Sequence, residues 1–433
     1  MKATILQTPE PGVLQTLEDQ VVIVGDDGVI EAVTPSGDAD VQLADGEVLL
    51  PGLIDTHLHA PQWPQLGTGL DLPLERWLFE YTFPLEAKYS DLGFARRVWD
   101  SMVPTLLRSG TTTAVYYGSI HCDAATTLAE ACQAHGQRAF VGRVAMDHTE
   151  GTPAYYRDAD ASQSVSESAR SIDAIRALDP AGALVRPIVT PRFIPACTDA
   201  ALEGLGELAA GTGTLVQTHC SESDWAHGYV LERHGCTDTE SLSRFGLVRD
   251  HSILAHATHL TGSDRHRLVE AGTGVAHCPL SNSYFANAVF PARRNLDAGL
   301  RVGLGTDVAG GSESSLLRQC EHAVTSSRML EDGVDVEIES GRGRPDSRID
   351  VATAFWMATA GGAELLGINA GLLEPGRVFD AFAVRAAGNA AQCGIAEQGD
   401  RSQLFERIVR RSGPTDVSAV WVNGSDVTPA NDR

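Results

Sequence analysis

Asp55-Thr56-His57-Leu58-His59 closes an apolar run, and a two-residue step puts both imidazoles on one face of an extended strand. Two convergent histidines are half of a catalytic zinc site, which takes about three protein ligands and leaves one position open for water. Further candidates stand where other apolar runs end: His219 in VQTHCSE, His256 in ILAHATH, and Asp307 in GLGTD, whose glycines let the backbone crowd a bound group. Taken singly, a strand-end histidine is more often a satisfied polar residue than a ligand. The set is the argument, because His57, His59, His219, His256 and Asp307 all fall where one barrel would bring them together.

The elements that must position them follow from the pattern of the chain. Apolar β-branched segments alternate with Ala/Leu/Arg/Glu-rich stretches of helical period, which predicts an α/β fold of repeated βα units closed into a (β/α)8 TIM-like barrel. The expected strands are Gly52 to His59, Thr112 to Tyr117, Phe140 to Met146, Arg186 to Thr190, Leu215 to His219, Ser252 to His256, Gly274 to Cys278 and Val302 to Asp307. Such barrels work at the C-terminal ends of their strands, where several of these runs end on histidine or aspartate. Short β-like runs also open the chain (Gln20 to Val24, Val29 to Val33, Val48 to Leu50) and close it (Ala381 to Val384, Val417 to Val422), so the two ends can pair into one small β unit. Tyr156 to Arg170 and Glu331 to Asp350 read as solvated loops or helix edges without chemistry.

Composition narrows the partners. A formal net charge of -24 over 433 residues repels phosphate backbones and acidic membranes, so a small neutral substrate is expected, with no nucleic-acid or membrane partner. Eight cysteines (Cys122, Cys132, Cys197, Cys220, Cys236, Cys278, Cys320, Cys393) without a CxxC pair argue against a disulfide framework or a cysteine zinc cluster. The opening stretch lacks the charged start and apolar run of a secretory signal, and the expected compartment is the cytoplasm.

PGLIDTHLHAPQ, TPRF, the His219-x-x-Glu222 step, AHCPLSN and GLGTDVAGG resemble, in this order, the guanine deaminase branch of the amidohydrolase superfamily, and LGINAGLLEPGRVFDAF resembles its closing segment. The resemblance implies a barrel with a small β-sandwich domain built from both termini, a single zinc and a homodimer. Its expected division is 1–50 and 371–433 for the sandwich and 51–370 for the barrel. It also implies that His57, His59, His219 and Asp307 bind the zinc, with His256 close to the reacting water. Related binuclear enzymes bridge two metals with a carboxylated lysine from the fourth strand; no lysine follows Lys88, which agrees with one metal. The HxE followed by PCxxC that marks the cytidine deaminase type is absent.

The implied reaction is deamination of guanine to xanthine and ammonia by a zinc-activated water, whose pKa falls toward about 7. An aminopurine carbon is a poor electrophile until a ring nitrogen is protonated, so an acid is needed beside the ring, and Glu222, three residues after His219, suits that place. A surface glutamate is its bland reading. Asp307 can take the water proton and His256 can donate to the attacking oxygen. Gln62 offers an amide donor and acceptor and Arg192 a donor fork for a carbonyl and adjacent nitrogen; both match substrate-contacting positions of the family, Phe193 is carried over with Arg192, and Trp63 could form an aromatic wall. His59, His219, Glu222 and Asp307 would also face the substrate. His277 and Cys278 fit either the pocket wall or structural packing. The competing expectations are the same reaction on 8-oxoguanine, isoguanine or a pterin, and a non-catalytic scaffold on the same barrel.

Overall fold

The computed structural model describes residues 1–386 and 400–430. Eight parallel strands form the central sheet in chain order: Leu53–His59, Thr111–Tyr117, Arg138–Gly142, Val185–Pro191, Leu215–Cys220, Ile253–His256, Gly274–His277 and Val302–Leu304. Every expected barrel strand is present. The last strand closes on the first through Thr56 Oγ1 to Leu304 O (2.8 Å), Asp307 N to His57 O (2.9 Å) and His59 N to Val308 O (2.8 Å). The expected third strand is interrupted after Gly142, and only Val144–Ala145 pairs again with its neighbour, because the buried Arg143 points its guanidinium into polar contacts.

Both chain ends meet in a second sheet of seven strands, ordered Ser425–Asp426, Val417–Val422, Ala381–Arg385, Glu47–Pro51, Lys2–Glu10, Val13–Val24 and Ile30–Thr34. This curled mixed sheet is the small domain beside the barrel. All its pairings are antiparallel except that of Lys2–Glu10 with Glu47–Pro51. Lys2–Glu10 carries no apolar alternation in sequence, since Gln7 and Thr8 stand in buried positions. Gln7 is satisfied there: Nε2 donates to Gln15 Oε1 (2.7 Å) and Oε1 accepts from Leu373 N (2.8 Å).

Of the two expectations for Tyr156 to Arg170, loop or helix edge, its second half takes the helix edge, while its first half is more buried than its composition predicts. Tyr156 is fully buried, Asp158 forms a buried ion pair with Arg143, and Ala161–Leu178 is a helix that turns Ser164, Ser168 and Ser171 inward. Ser168 returns its hydroxyl to Ser164 O (2.7 Å) and Ser164 donates to Asp158 Oδ2 (2.7 Å), so two of the three inward serines are satisfied locally. Glu331 to Asp350 is the exposed loop expected, with Val334 and Val336 each 78% exposed. Among the described residues the cysteines are free, and Cys393 lies outside them. No helix among them is long and apolar enough to cross a membrane.

Candidate active site

Strand-end geometry collects the candidate residues. Leu53–His59 is buried along its whole length, and its odd positions Asp55, His57 and His59 share one face. Asp55 anchors that face by accepting from Thr306 Oγ1 (2.6 Å) and Thr306 N (3.0 Å); burial pushes its carboxyl up to about 7. Residues around the mouth hold left-handed backbones without being glycine, among them Ser221 (φ 43°), His256 (φ 69°), Ala257 (φ 48°) and Asp307 (φ 48°). Such backbones cost energy and persist where the surroundings enforce them. At Ser221 the enforcement is visible, because its N–H donates to Asp238 Oδ1 (2.9 Å) and Ser223 then caps the helix Asp224–His234. Glu222 is thereby set between a strand end and a helix start, at the mouth.

The imidazoles converge. His57 Nε2 is 3.0 Å and His59 Nε2 3.5 Å from Asp307 Oδ1, and His59 Nε2 is 3.0 Å from His219 Nε2. One ligand atom each from His57, His219, His256 and Asp307 lie within 4.8 Å of one another. His219 Nδ1 must donate to Arg192 O (2.6 Å), since a carbonyl only accepts, so its Nε2 turns a lone pair inward. His256 Nδ1 bonds Asn282 Oδ1 (2.9 Å), which leaves Nε2 between Glu222 Oε1 at 3.7 Å and Asp307 Oδ2 at 3.9 Å. In that tautomer His256 presents a lone pair; donation from Nε2 requires the imidazolium or the opposite tautomer.

These residues fit a metal ion. His57 Nδ1, His57 Nε2 and His256 Nε2 are buried without a hydrogen-bond partner, and a cation at the point they share would satisfy the inward-facing ones. Burial first, and neighbouring imidazoles second, hold His57, His59 and His219 well below the usual range, which keeps them neutral. Burial raises both facing carboxyls, Glu222 further because the Asp307 charge adds to it.

A small cavity opens onto this cluster. His59, His219, Glu222 and Asp307 line it together with Gln62, Arg192 and Phe193. Trp63 does not. On the turn Ala60–Gln65, a helix of three residues per turn, consecutive side chains diverge by about 120°, so Gln62 faces the cavity while Trp63 packs half-buried against the core. The aromatic wall is instead Trp77 against Phe285, ring centroids 5.2 Å apart. His277 and Cys278 also lie outside the lining, with His277 packed on Phe290 at 5.0 Å. Sequence reasoning missed Trp77, Phe285 and a fully buried Glu86, which pairs with Arg192.

A metal-binding (β/α)8 barrel flanked by a sheet from both termini defines a class of hydrolase, and the chain belongs to it: the Amidohydrolase family model matches residues 48–427. Within that family it is similar to a probable guanine deaminase of Schizosaccharomyces pombe, 37% identical over 385 residues, 87% of this chain and 71% of that one. The crystal structure of guanine deaminase from C. acetobutylicum, with guanine bound in its active site, matches at a TM-score of 0.87 with 27% identity, covering 98% of each chain. An adenosine deaminase from Xanthomonas campestris with bound zinc matches at 0.81 and 27% identity, covering 98% of this chain and 91% of that one.

Proposed function

We propose that this chain converts guanine and water to xanthine and ammonia, with one zinc per subunit. The observation that carries the reading is one cavity lined together by the neutral imidazoles of His59 and His219, the carboxyls of Glu222 and Asp307, and Gln62 with Arg192. Similarity to guanine deaminases along nearly the whole chain supports guanine as the ring. His57, His59, His219 and Asp307 would hold the zinc, with His256 beside it; imidazole nitrogens and a carboxylate oxygen suit that ion. When bound, the ion would supply a water acidic enough to ionise near neutral pH.

The chain's own residues account for the proton transfers. Glu222, kept protonated by burial beside Asp307, delivers its proton to ring N3 and makes C2 electrophilic. The resulting carboxylate then takes a proton from the oxygen that has added to C2 and passes it to the 2-amino group as the C2–N bond breaks and ammonia leaves, so one residue serves as acid and base; the other water proton, held by Asp307, returns to Glu222 at the end of the cycle. Asp307 takes the proton of the attacking water, and His256 Nε2 faces the space between the two carboxyls and orients the nucleophile. Gln62, Arg192 and Phe193 hold the ring. The same reading makes the protein a cytoplasmic homodimer of purine catabolism, with 1–50 and 371–433 as its sandwich and 51–370 as its barrel; sedimentation checks the dimer.

Ammonia release by zinc-loaded protein, measured across guanine, 8-oxoguanine, isoguanine, adenine and pterin, tests the reading. Guanine is expected to dominate, and Glu222→Gln to keep its zinc while losing at least about a hundredfold in kcat. A different preferred ring removes guanine and leaves the mechanism; silence on every ring leaves only a scaffold.

A further inference from the structure

Glu86 ends the short helix Phe83–Glu86, fully buried, and does not line the cavity. Its carboxylate is nevertheless the common partner of both polar groups assigned to the ring. Oε1 accepts from Gln62 Nε2 (2.9 Å) and Arg192 Nη2 (3.1 Å), and Oε2 accepts from Arg192 Nη1 (2.7 Å). Phe83, on the same helix, lies 5.0 Å from the Arg192 guanidinium carbon. The arrangement is a bidentate fork with a third donor added, buried to 3% and 1% side-chain exposure at its two charged partners.

A carboxylate only accepts hydrogen bonds, and this decides how Gln62 is turned. Its amino group must face Glu86, and its carbonyl is left to accept from Ala309 N (3.1 Å). The flipped amide would set oxygen against the carboxylate and its amino group against the Ala309 N–H, two repulsive contacts at once. Arg192 has donors and no acceptor. With Gln62's carbonyl occupied, the pair offers the cavity donors.

We propose that Glu86 is a positioning residue for ring selection, locking Gln62 and Arg192 into a donor edge that takes a ring carbonyl with its adjacent nitrogen and rejects an amino group there. The inference rests on the guanine reading. It separates from that reading because it concerns the ratio between two rings with the same leaving group. Guanine and 2,6-diaminopurine both carry the 2-amino group; they differ in the oxo or amino substituent that the donor edge would meet.

The test compares kcat/KM for these two purines in the zinc-loaded wild type and in Glu86→Gln, with zinc content and thermal midpoint measured alongside. An amide at position 86 presents a donor to Arg192 or to Gln62, which frees Gln62 to flip. The guanine preference is then expected to fall by at least about tenfold, mainly through a higher KM for guanine. Glu86→Asp keeps the acceptor charge one methylene short and should restore part of the preference; if Glu86→Gln does not fold, the ratio is read on this variant alone. A proportional loss on both purines would mean that Glu86 only holds the wall together, and an unchanged ratio would mean that it does not set the polarity of the edge. Either result overturns the proposal. If the wild type releases no ammonia from guanine, the guanine reading falls first and takes this one with it.

Discussion

A neutral imidazole can ligate a metal and a protonated one cannot, so burial at the barrel mouth has a chemical consequence residue by residue. His277 isolates that effect, since it lies at the mouth without lining the cavity. Burial first, and the nearby His256 second, push it down to about 3. An unfolded chain would protonate the same side chain near about 6.5. Between those values the unfolded state binds a proton that the folded state refuses, so stability falls as pH falls, by up to about 1.4 kcal/mol per pH unit from this residue. Denaturant unfolding of wild type and His277→Gln between about pH 7 and about pH 5 should show a shallower pH slope in the variant, whatever its intercept. Equal slopes would mean that His277 titrates normally in the fold. The residues legible in the sequence, His57, His59, His219, His256, Glu222 and Asp307, share a property: each lies in the last three residues of a strand or just beyond one, so one-dimensional position implies a place at the mouth. Glu86 was not legible. A glutamate in a run of mixed helical character reads as solvated, and only the tertiary approach of Gln62 and Arg192 makes its burial favourable.

Elements position these residues through close backbone approach as much as through hydrogen bonds. Gly305, just past the last barrel strand, has no room for a side chain: an added Cβ would sit 2.9 Å from His57 Cβ and 3.0 Å from Cys278 Sγ. Gly305→Ala should therefore push the first strand's histidine outward and lower zinc affinity by about tenfold, as outer-shell changes at metal sites do. Zinc competition against a chelator reads this, with Gly211→Ala as the control because nothing lies within 4 Å of the Cβ it adds. Unaltered affinity in Gly305→Ala would mean that His57 is free to adjust or is not a ligand. Barrel strands were legible because a parallel sheet is covered on both faces, so each strand reads as a bounded apolar run. Lys2–Glu10 was not, because Gln7 is buried and satisfied by Gln15 and Leu373, residues that no local pattern joins to it. The helix from Ala161 was hidden likewise, its inward face being serine.

On the scale of the molecule, the terminal sheet joins the barrel at the strand starts, opposite the chemistry. Glu47–Pro51 leads through Gly52 directly into the first barrel strand, and Gly52 N donates to Asp380 O (2.9 Å). Asp380 also grips the start of the third strand, where Arg138 Nε and Nη2 each reach its carboxylate at 3.1 Å, with side-chain exposures of 8% and 2%. Its Oδ1 accepts in addition from Asn423 N (2.7 Å), so a single carboxylate ties the barrel to two returns of the sheet. Removing one partner of a buried pair strands the other charge, at a cost of about 3–5 kcal/mol. Asp380→Ala is thus expected to lower unfolding stability by that amount, read by urea denaturation. Zinc content and the kcat of the folded protein should stay at wild-type values, because strand starts in such barrels serve stability and strand ends serve catalysis. Adding Arg138→Met removes the stranded guanidinium and should return much of the loss, whereas additive destabilisation would show that the two side chains act independently. A fall in kcat without a fall in stability would mean instead that the sheet communicates with the catalytic mouth through the barrel wall.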